Sequence, residues 1–195
     1  MMGKYIFASL LFFATGFTFA QNEIPWDGKY QLQLSDFRSS ATQIGNVNVY
    51  SIFTACGIDF TFAMSSVEFM FTKNFNSKVS NTFKRNSSSV VAPDTEIAAS
   101  LVEFSQFQFD ATELYARKFR KKIAEEKGSF SGVNFFRPFY DDIQKELSAR
   151  CVNAGKDTDL GRKSEKLKQL HQDVLSEIDL LSDYCKDCKL VKKKS

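Results

Sequence analysis

The longest regular pattern in the sequence lies between residues 95 and 127, where apolar side chains recur at every third or fourth position. The main stripe is Leu101, Phe104, Gln108, Ala111, Tyr115, Phe119 and Ile123. This spacing places the side chains on one face of an α-helix. Asp94 or Thr95 can cap its start and Gly128 can end it. Because the first half is apolar on nearly all sides, we predict a buried helix around which the rest of the domain must pack.

Helical spacing also predicts two later helices, over about 135–151 and 158–183. Alternation of polar and apolar residues favours strands before the long helix. The segments concerned are 46–54, 58–63 and 67–75, with a weaker alternation at 29–37. Residues 76–95 are rich in Asn and Ser and read as a surface loop. The expected fold class is α+β, with an N-terminal antiparallel sheet packed on the long buried helix plus two further helices.

The first twenty residues have the pattern of a secretory signal peptide. Lys4 precedes an apolar run, and Thr18-Phe19-Ala20 provides small residues for cleavage. We therefore expect a signal peptide at 1–20, a single domain at 21–184 and a basic C-terminal tail at 185–195. No later segment is apolar for long enough to suggest a transmembrane span. The predicted location is the periplasm or the outside of the cell.

The charge balance excludes one class of partner. The chain carries a formal net charge of +3, and loss of Lys4 with the signal peptide would leave +2. Proteins that bind nucleic acid usually present a strong excess of basic residues. A net charge this close to zero therefore argues against nucleic acid as a partner.

Four cysteines, Cys56, Cys151, Cys185 and Cys188, are compatible with two disulfides in an exported chain. Of the three possible connectivities, we favour a local Cys185–Cys188 bond with a long Cys56–Cys151 bond. A redox-active Cys185–Cys188 pair is the alternative. It is disfavoured because the pair follows a helix, whereas reactive pairs usually occupy a helix N-terminus.

Four segments resemble a family of exported bacterial domains of unknown function that are predicted to be zinc peptidases of the HExxH type. FDATELYARK, at 109–118, is similar to the stretch that directly follows the zinc-binding motif of that family. LQLSDF at 32–37, ACGIDF at 55–60 and DTDLG at 157–161 resemble other elements of the same pattern. The resemblance implies a zincin-like scaffold, in which the long helix carries the metal site.

The register of this resemblance places other residues where the family has its metal ligands. Phe104 and Gln108 stand at the two motif histidines, Ser105 at the motif glutamate, and Leu160 at a later histidine; Gln106 keeps the motif glutamine. In the intact motif, two histidines one helical turn apart bind zinc and the glutamate acts as general base. The resemblance therefore implies a degenerate member without zinc or catalytic residues. We expect a binding or structural role in the cell envelope or outside the cell, with an unknown protein or peptide as the ligand.

Two structural consequences follow from this register. Removal of a metal and three imidazoles would leave a hole, and unfilled holes destabilise a protein core. We therefore expect Phe104 and Leu160 to lie against each other and to fill that volume. Gln108 is polar on an apolar stripe, so it should have hydrogen-bond partners.

The alternative function is an active secreted metallopeptidase or hydrolase with a non-standard site. It would need either a hydrolytic site with no recognisable motif or a metal recruited through Asp110, Glu113 or His171. Asp110 and Glu113, or Asp157 and Asp159, could instead bind a hard cation such as calcium. We favour structural hydrogen bonding for these acids and a boundary position for His171.

Overall fold

The structure is a computed structural model and describes residues 22–60, 65–127 and 135–189. The predicted signal peptide, the end of the basic tail, Gly128 and residues 61–63 lie outside the described residues. The strands are β1 Glu23–Pro25, β2 Gln43–Ile44, β3 Ser51–Phe53, β4 Cys56–Phe60, β5 Val79–Lys84 and β6 Ser89–Ala92. The helices are α1 Ser66–Phe71, α2 Thr95–Glu126, α3 Phe136–Thr158 and α4 Ser164–Leu180. The predicted α+β class is confirmed.

The long central helix is α2, and its predicted position is confirmed. The carboxylate of Asp94 caps its first turn by accepting a hydrogen bond from the Ile97 N–H at 2.8 Å. Between Phe104 and Arg117 every residue of this helix is buried except Gln108. A helix buried on all sides is the structural centre of its domain, and α2 contributes to both clusters of the hydrophobic core.

The strands form two small sheets, whereas the sequence predicted a single N-terminal antiparallel sheet. The first sheet has the order β1-β5-β4 and is antiparallel throughout. The second has the order β2-β6-β3, with β2 parallel and β3 antiparallel to β6. Two strands, β5 and β6, come from the segment that was predicted to be a surface loop, so that prediction is wrong. The buried positions of β5 include Asn81, and a polar residue on the inner face hid the alternation.

Helix α1 replaces most of the strand predicted at 67–75. The hydroxyl of Ser65 caps it by accepting a hydrogen bond from the Glu68 N–H at 3.1 Å. Of the α1 residues whose burial the structure describes, Phe69 alone is buried, whereas Val67 and Phe71, which completed the apparent alternation, are exposed. In a short segment, an alternating apolar pattern does not distinguish a strand from a short helix that buries only one of its apolar side chains.

The two later helices are confirmed, but the boundary between them is further along the chain. Helix α3 continues to Thr158 and α4 begins at Ser164. Between them Asp159, Leu160 and Gly161 all have left-handed backbone angles, with φ of 52°, 51° and 96°. The Leu160 N–H donates to the Gly155 carbonyl at 2.9 Å, which closes the end of α3. This turn returns the chain along α2.

Two observations concern location and covalent structure. Within the described ranges, every helix is too short or too polar to cross a bilayer. Cys185 and Cys188 form a disulfide with an S–S distance of 2.06 Å, as predicted. Cys56 and Cys151 are free thiols, so the long disulfide expected from the sequence is not formed.

We expect two free thiols that react slowly in the native protein. Burial raises the pKa of Cys56 to about 11. Burial, followed by the proximity of Cys56, raises the pKa of Cys151 to about 12. At pH 8 both groups are therefore uncharged, and only a thiolate attacks iodoacetamide readily.

Mass spectrometry should count two adducts on the denatured chain without reductant and four after reduction. The native protein at pH 8 should acquire its two adducts much more slowly than the denatured chain. A denatured, non-reduced chain without adducts would mean that Cys56 and Cys151 are bonded to each other.

Candidate functional site

Phe104 and Leu160 meet where α3 crosses α2. A β-carbon built on Gly155 would lie 3.3 Å from Leu160 Cδ2 and 3.3 Å from Phe104 Cζ, so the three residues share one contact point. Phe104 is 2% exposed and stacks on Phe107 with ring centroids 6.0 Å apart. The expected proximity of Phe104 and Leu160 is confirmed, and apolar atoms fill the space between the two helices.

Ser105 and Gln108 are joined by the hydroxyl of Thr54, which follows β3. Thr54 Oγ1 lies 2.6 Å from Gln108 Oε1 and is also hydrogen-bonded to Ser105 Oγ. Because an amide oxygen can only accept, Thr54 donates to Gln108, and Ser105 donates to Thr54. Gln108 therefore has the polar partner that was expected. Neutral hydrogen bonds therefore occupy the Ser105 hydroxyl and the Gln108 side-chain oxygen.

A surface groove of about 580 Å³ opens over this cluster. Its floor is Phe104 and Gln108 on α2, and its walls come from α3, from Leu160 and from Ile52 on β3. Lys156 is the one charged residue among the described residues that line it, and those residues include no carboxylate or imidazole. Most of this lining suits apolar side chains of a ligand, and the Cys151 thiol is the single metal-binding type of side chain among the described residues that form it.

A different set of α2 residues surrounds the carboxylate of Asp110, which is 4% exposed. Its Oδ1 accepts a hydrogen bond from Trp26 Nε1 at 2.6 Å. Its Oδ2 lies 3.0 Å from Gln106 Nε2 and 2.7 Å from His171 Nε2. His171 lies at the boundary of the core, as the sequence indicated. Its bond to Asp110 joins α4 to α2 across 61 positions, a contact that no local pattern reveals.

The other candidate acids do not converge with Asp110. Glu113 is held by Arg117 and Arg120, with N–O distances of 3.1 and 2.7 Å. Asp159 accepts hydrogen bonds from the Tyr50 hydroxyl at 2.8 Å and from an Arg162 guanidinium nitrogen at 2.9 Å. Within the ranges that the structure describes, no three His, Cys, Asp or Glu side chains are arranged to hold a metal ion.

Three of the segments that carry the family resemblance contact helix α2, which contains the fourth. The side chain of Gln106, on α2 just before segment 109–118, accepts a hydrogen bond from the Leu32 N–H at 2.8 Å, which attaches segment 32–37. Cys56 Sγ lies 3.4 Å from Thr112 Oγ1, and Leu160 packs near Phe104. When the chain was compared with family models, curated proteins and solved structures, nothing matched. Family membership is therefore a proposal that rests on these segments and their packing.

Proposed function

We propose that this chain is an exported, non-catalytic protein with a zinc-peptidase-like scaffold, which binds an extended peptide segment of another protein. The observation that carries the proposal is the assembly of Phe104, Ser105, Gln108 and Leu160 at one place. There Gln108 Oε1 is occupied by Thr54 and the two apolar residues have no lone pairs to offer. The disulfide between Cys185 and Cys188 supports export, because such bonds persist mainly in oxidising compartments.

The position of the groove supports a peptide as the ligand. Strand β3 is at the edge of its sheet, and Ile52 on this strand lines the groove. Phe53 on this strand is 60% exposed, and Val49, which precedes the strand, is 63% exposed. A bound peptide can extend a sheet by pairing with its edge strand, while alternate side chains enter a neighbouring groove. Val152, which is 50% exposed on α3, would contact such side chains.

Selection from a phage-displayed library of random ten-residue peptides tests this proposal. Selected peptides should be rich in apolar residues and bind the native protein. A Val152→Asp variant should bind them at least tenfold more weakly, because a carboxylate would enter the apolar groove. Leu175→Asp, at a 41% exposed position on α4, is the matched control and should bind normally. The proposal fails if no peptide is enriched, or if Val152→Asp and Leu175→Asp bind alike.

A second candidate function is hydrolysis at a non-standard site, and the Asp110–His171 contact is the observation that favours it. The imidazole is held by a buried carboxylate beside a cavity of about 200 Å³. Leu32, Val102 and Glu103 help to line this cavity. A histidine oriented in this way can act as a general acid or base. Turnover of peptide or ester substrates that is lost in His171→Gln would support this candidate, and equal rates in the two proteins would eliminate it.

A further inference from the structure

Helix α1 turns its apolar stripe outwards, which reverses the usual arrangement of a surface helix. Val67, Met70 and Phe71 are 65%, 65% and 77% exposed, and we call these three residues the α1 patch. Their spacing of three and four residues places them on one face of the helix. Phe69, which is 2% exposed, lies on the opposite side and packs into the core. Because a surface helix normally packs its apolar stripe against the core, the α1 patch is suited to an external apolar partner.

Lysine side chains border the α1 patch. The Lys127 ammonium group lies 2.9 Å from the carbonyl oxygen of Thr72, the residue directly after α1. Lys73, the next residue along the chain, is exposed. The patch therefore combines exposed apolar area with positive charge at the same end of the helix.

The acids near this border are paired with other lysines. Glu68, the one acid in α1, forms an ion pair with Lys78 at 2.8 Å. At the end of α2, two glutamates form ion pairs with lysines one helical turn earlier, Glu125 with Lys121 and Glu126 with Lys122. The charges of Lys73 and Lys127 therefore remain in excess beside the α1 patch.

The C-terminal segment, residues 182–195, brings further lysines to this end of the molecule. The side-chain amide of Asn74 donates to the Cys188 carbonyl at 2.9 Å, so the chain passes position 188 beside the loop that follows α1. The segment contains five lysines and two aspartates. Three of the lysines, at 192–194, follow Cys188 within six residues and thus lie within roughly 20 Å of it. The α1 patch therefore has a polybasic sequence within reach.

We propose that the α1 patch and the C-terminal segment bind the surface of a membrane that contains anionic lipids. A helix with Phe and other large apolar side chains on one face can insert that face at the boundary between headgroups and acyl chains. Neighbouring lysines attract anionic headgroups. Stable attachment usually needs two such signals, and this end of the molecule has both. The inference is independent of the peptide groove, which no residue of the α1 patch lines.

The size and charge of the patch argue against a second copy of this chain as the partner. A stable protein interface buries about 800 Å² on each side. Three exposed side chains supply at most roughly 400 Å². In a symmetric dimer, the bordering lysines would also lie near those of the other copy and repel them. An anionic lipid surface has no such area requirement and attracts these lysines.

Co-sedimentation of the mature chain, from residue 21, with lipid vesicles tests the proposal. Vesicles of phosphatidylcholine with about 30% phosphatidylglycerol should bind the chain at least about tenfold more tightly than vesicles of phosphatidylcholine alone. Binding should weaken when NaCl is raised from about 0.1 to about 0.5 M, because salt screens the attraction. Absence of binding to the anionic vesicles at millimolar lipid would overturn the proposal.

A pair of double variants tests the apolar part. Met70→Ser with Phe71→Ser should weaken binding to the anionic vesicles by at least about tenfold, because two exposed apolar side chains are lost. Leu34→Ser with Leu175→Ser, at positions that are 37% and 41% exposed, is the matched control and should bind normally. Equal binding by the two double variants would refute the role of α1. A dimer in solution that Met70→Ser with Phe71→Ser dissociates would assign the patch to a second copy and overturn the proposal.

A second pair of variants tests the electrostatic part. Lys193→Gln with Lys194→Gln should weaken binding to the anionic vesicles by about tenfold. Lys163→Gln with Lys166→Gln removes the same charge at exposed positions at the start of α4 and should have little effect. Equal weakening by the two pairs would mean that net charge alone attracts the chain, and would refute the assignment of the C-terminal segment.

Discussion

Replacement of Glu113 by glutamine should lower the free energy of unfolding by about 3–5 kcal/mol. The Glu113 carboxylate is the only acidic partner of Arg117 and Arg120 within the described residues. The side chain of Arg120 is fully buried, with 0% exposure, and that of Arg117 is 9% exposed. Glutamine keeps the shape but removes the charge, so two buried guanidinium groups would remain without a counterion. Denaturant unfolding followed by circular dichroism measures the loss.

The matched control for Glu113 is Glu165, which forms an ion pair with Lys168 at the surface. The side chains of this pair are 86% and 63% exposed. Exposed ion pairs contribute little, so Glu165→Gln should cost less than about 1 kcal/mol. Equal losses in Glu113→Gln and Glu165→Gln would contradict the assigned role of the buried cluster.

Replacement of Gly161 by alanine should lower the free energy of unfolding by about 3 kcal/mol. The φ of Gly161 is +96°, where a side chain costs about 1–2 kcal/mol. An added β-carbon would also collide with the Ser100 carbonyl oxygen and lie 3.2 Å from Phe104 Cβ. Displacement of the turn from α2 adds roughly 1–3 kcal/mol. Thermal unfolding should show a decrease in Tm of about 6–12 °C.

Two other glycines separate the causes of this loss. Gly45 has a φ of +84° but nothing within 4 Å of an added β-carbon, so Gly45→Ala should show only the backbone cost of about 1–2 kcal/mol. Gly57 has neither a positive φ nor a close neighbour, and Gly57→Ala should be nearly neutral. If Gly161→Ala is no more destabilising than Gly45→Ala, the turn is not packed on α2 as described.

Helix α2 was predictable because its signal is local and long. Helical spacing over 32 residues and a capping residue, Asp94, can be recognised without knowledge of the tertiary structure. The proximity of Phe104 and Leu160 came from the family register, because nothing else in the sequence links positions so far apart. Strand β5 was missed because Asn81, a buried residue, breaks the apolar alternation.

The contacts around Asp110 could not be derived from local patterns. The partners of Asp110 are Trp26, directly after β1, Gln106 on α2 and His171 on α4. Trp26 and His171 are 84 and 61 positions away in the sequence. Each of these residues has an ordinary local context, so only the packing of the helices brings them together.

Zinc content tests the central claim, which is that the face of α2 at Phe104 and Gln108 cannot hold a metal. The native protein, purified and dialysed, should contain far less than one zinc per chain by elemental analysis. A variant with Phe104→His, Ser105→Glu, Gln108→His and Leu160→His is the positive control and should gain zinc if the family register is right. One zinc retained per native chain after dialysis, and lost on replacement of residues at this face, would contradict the account.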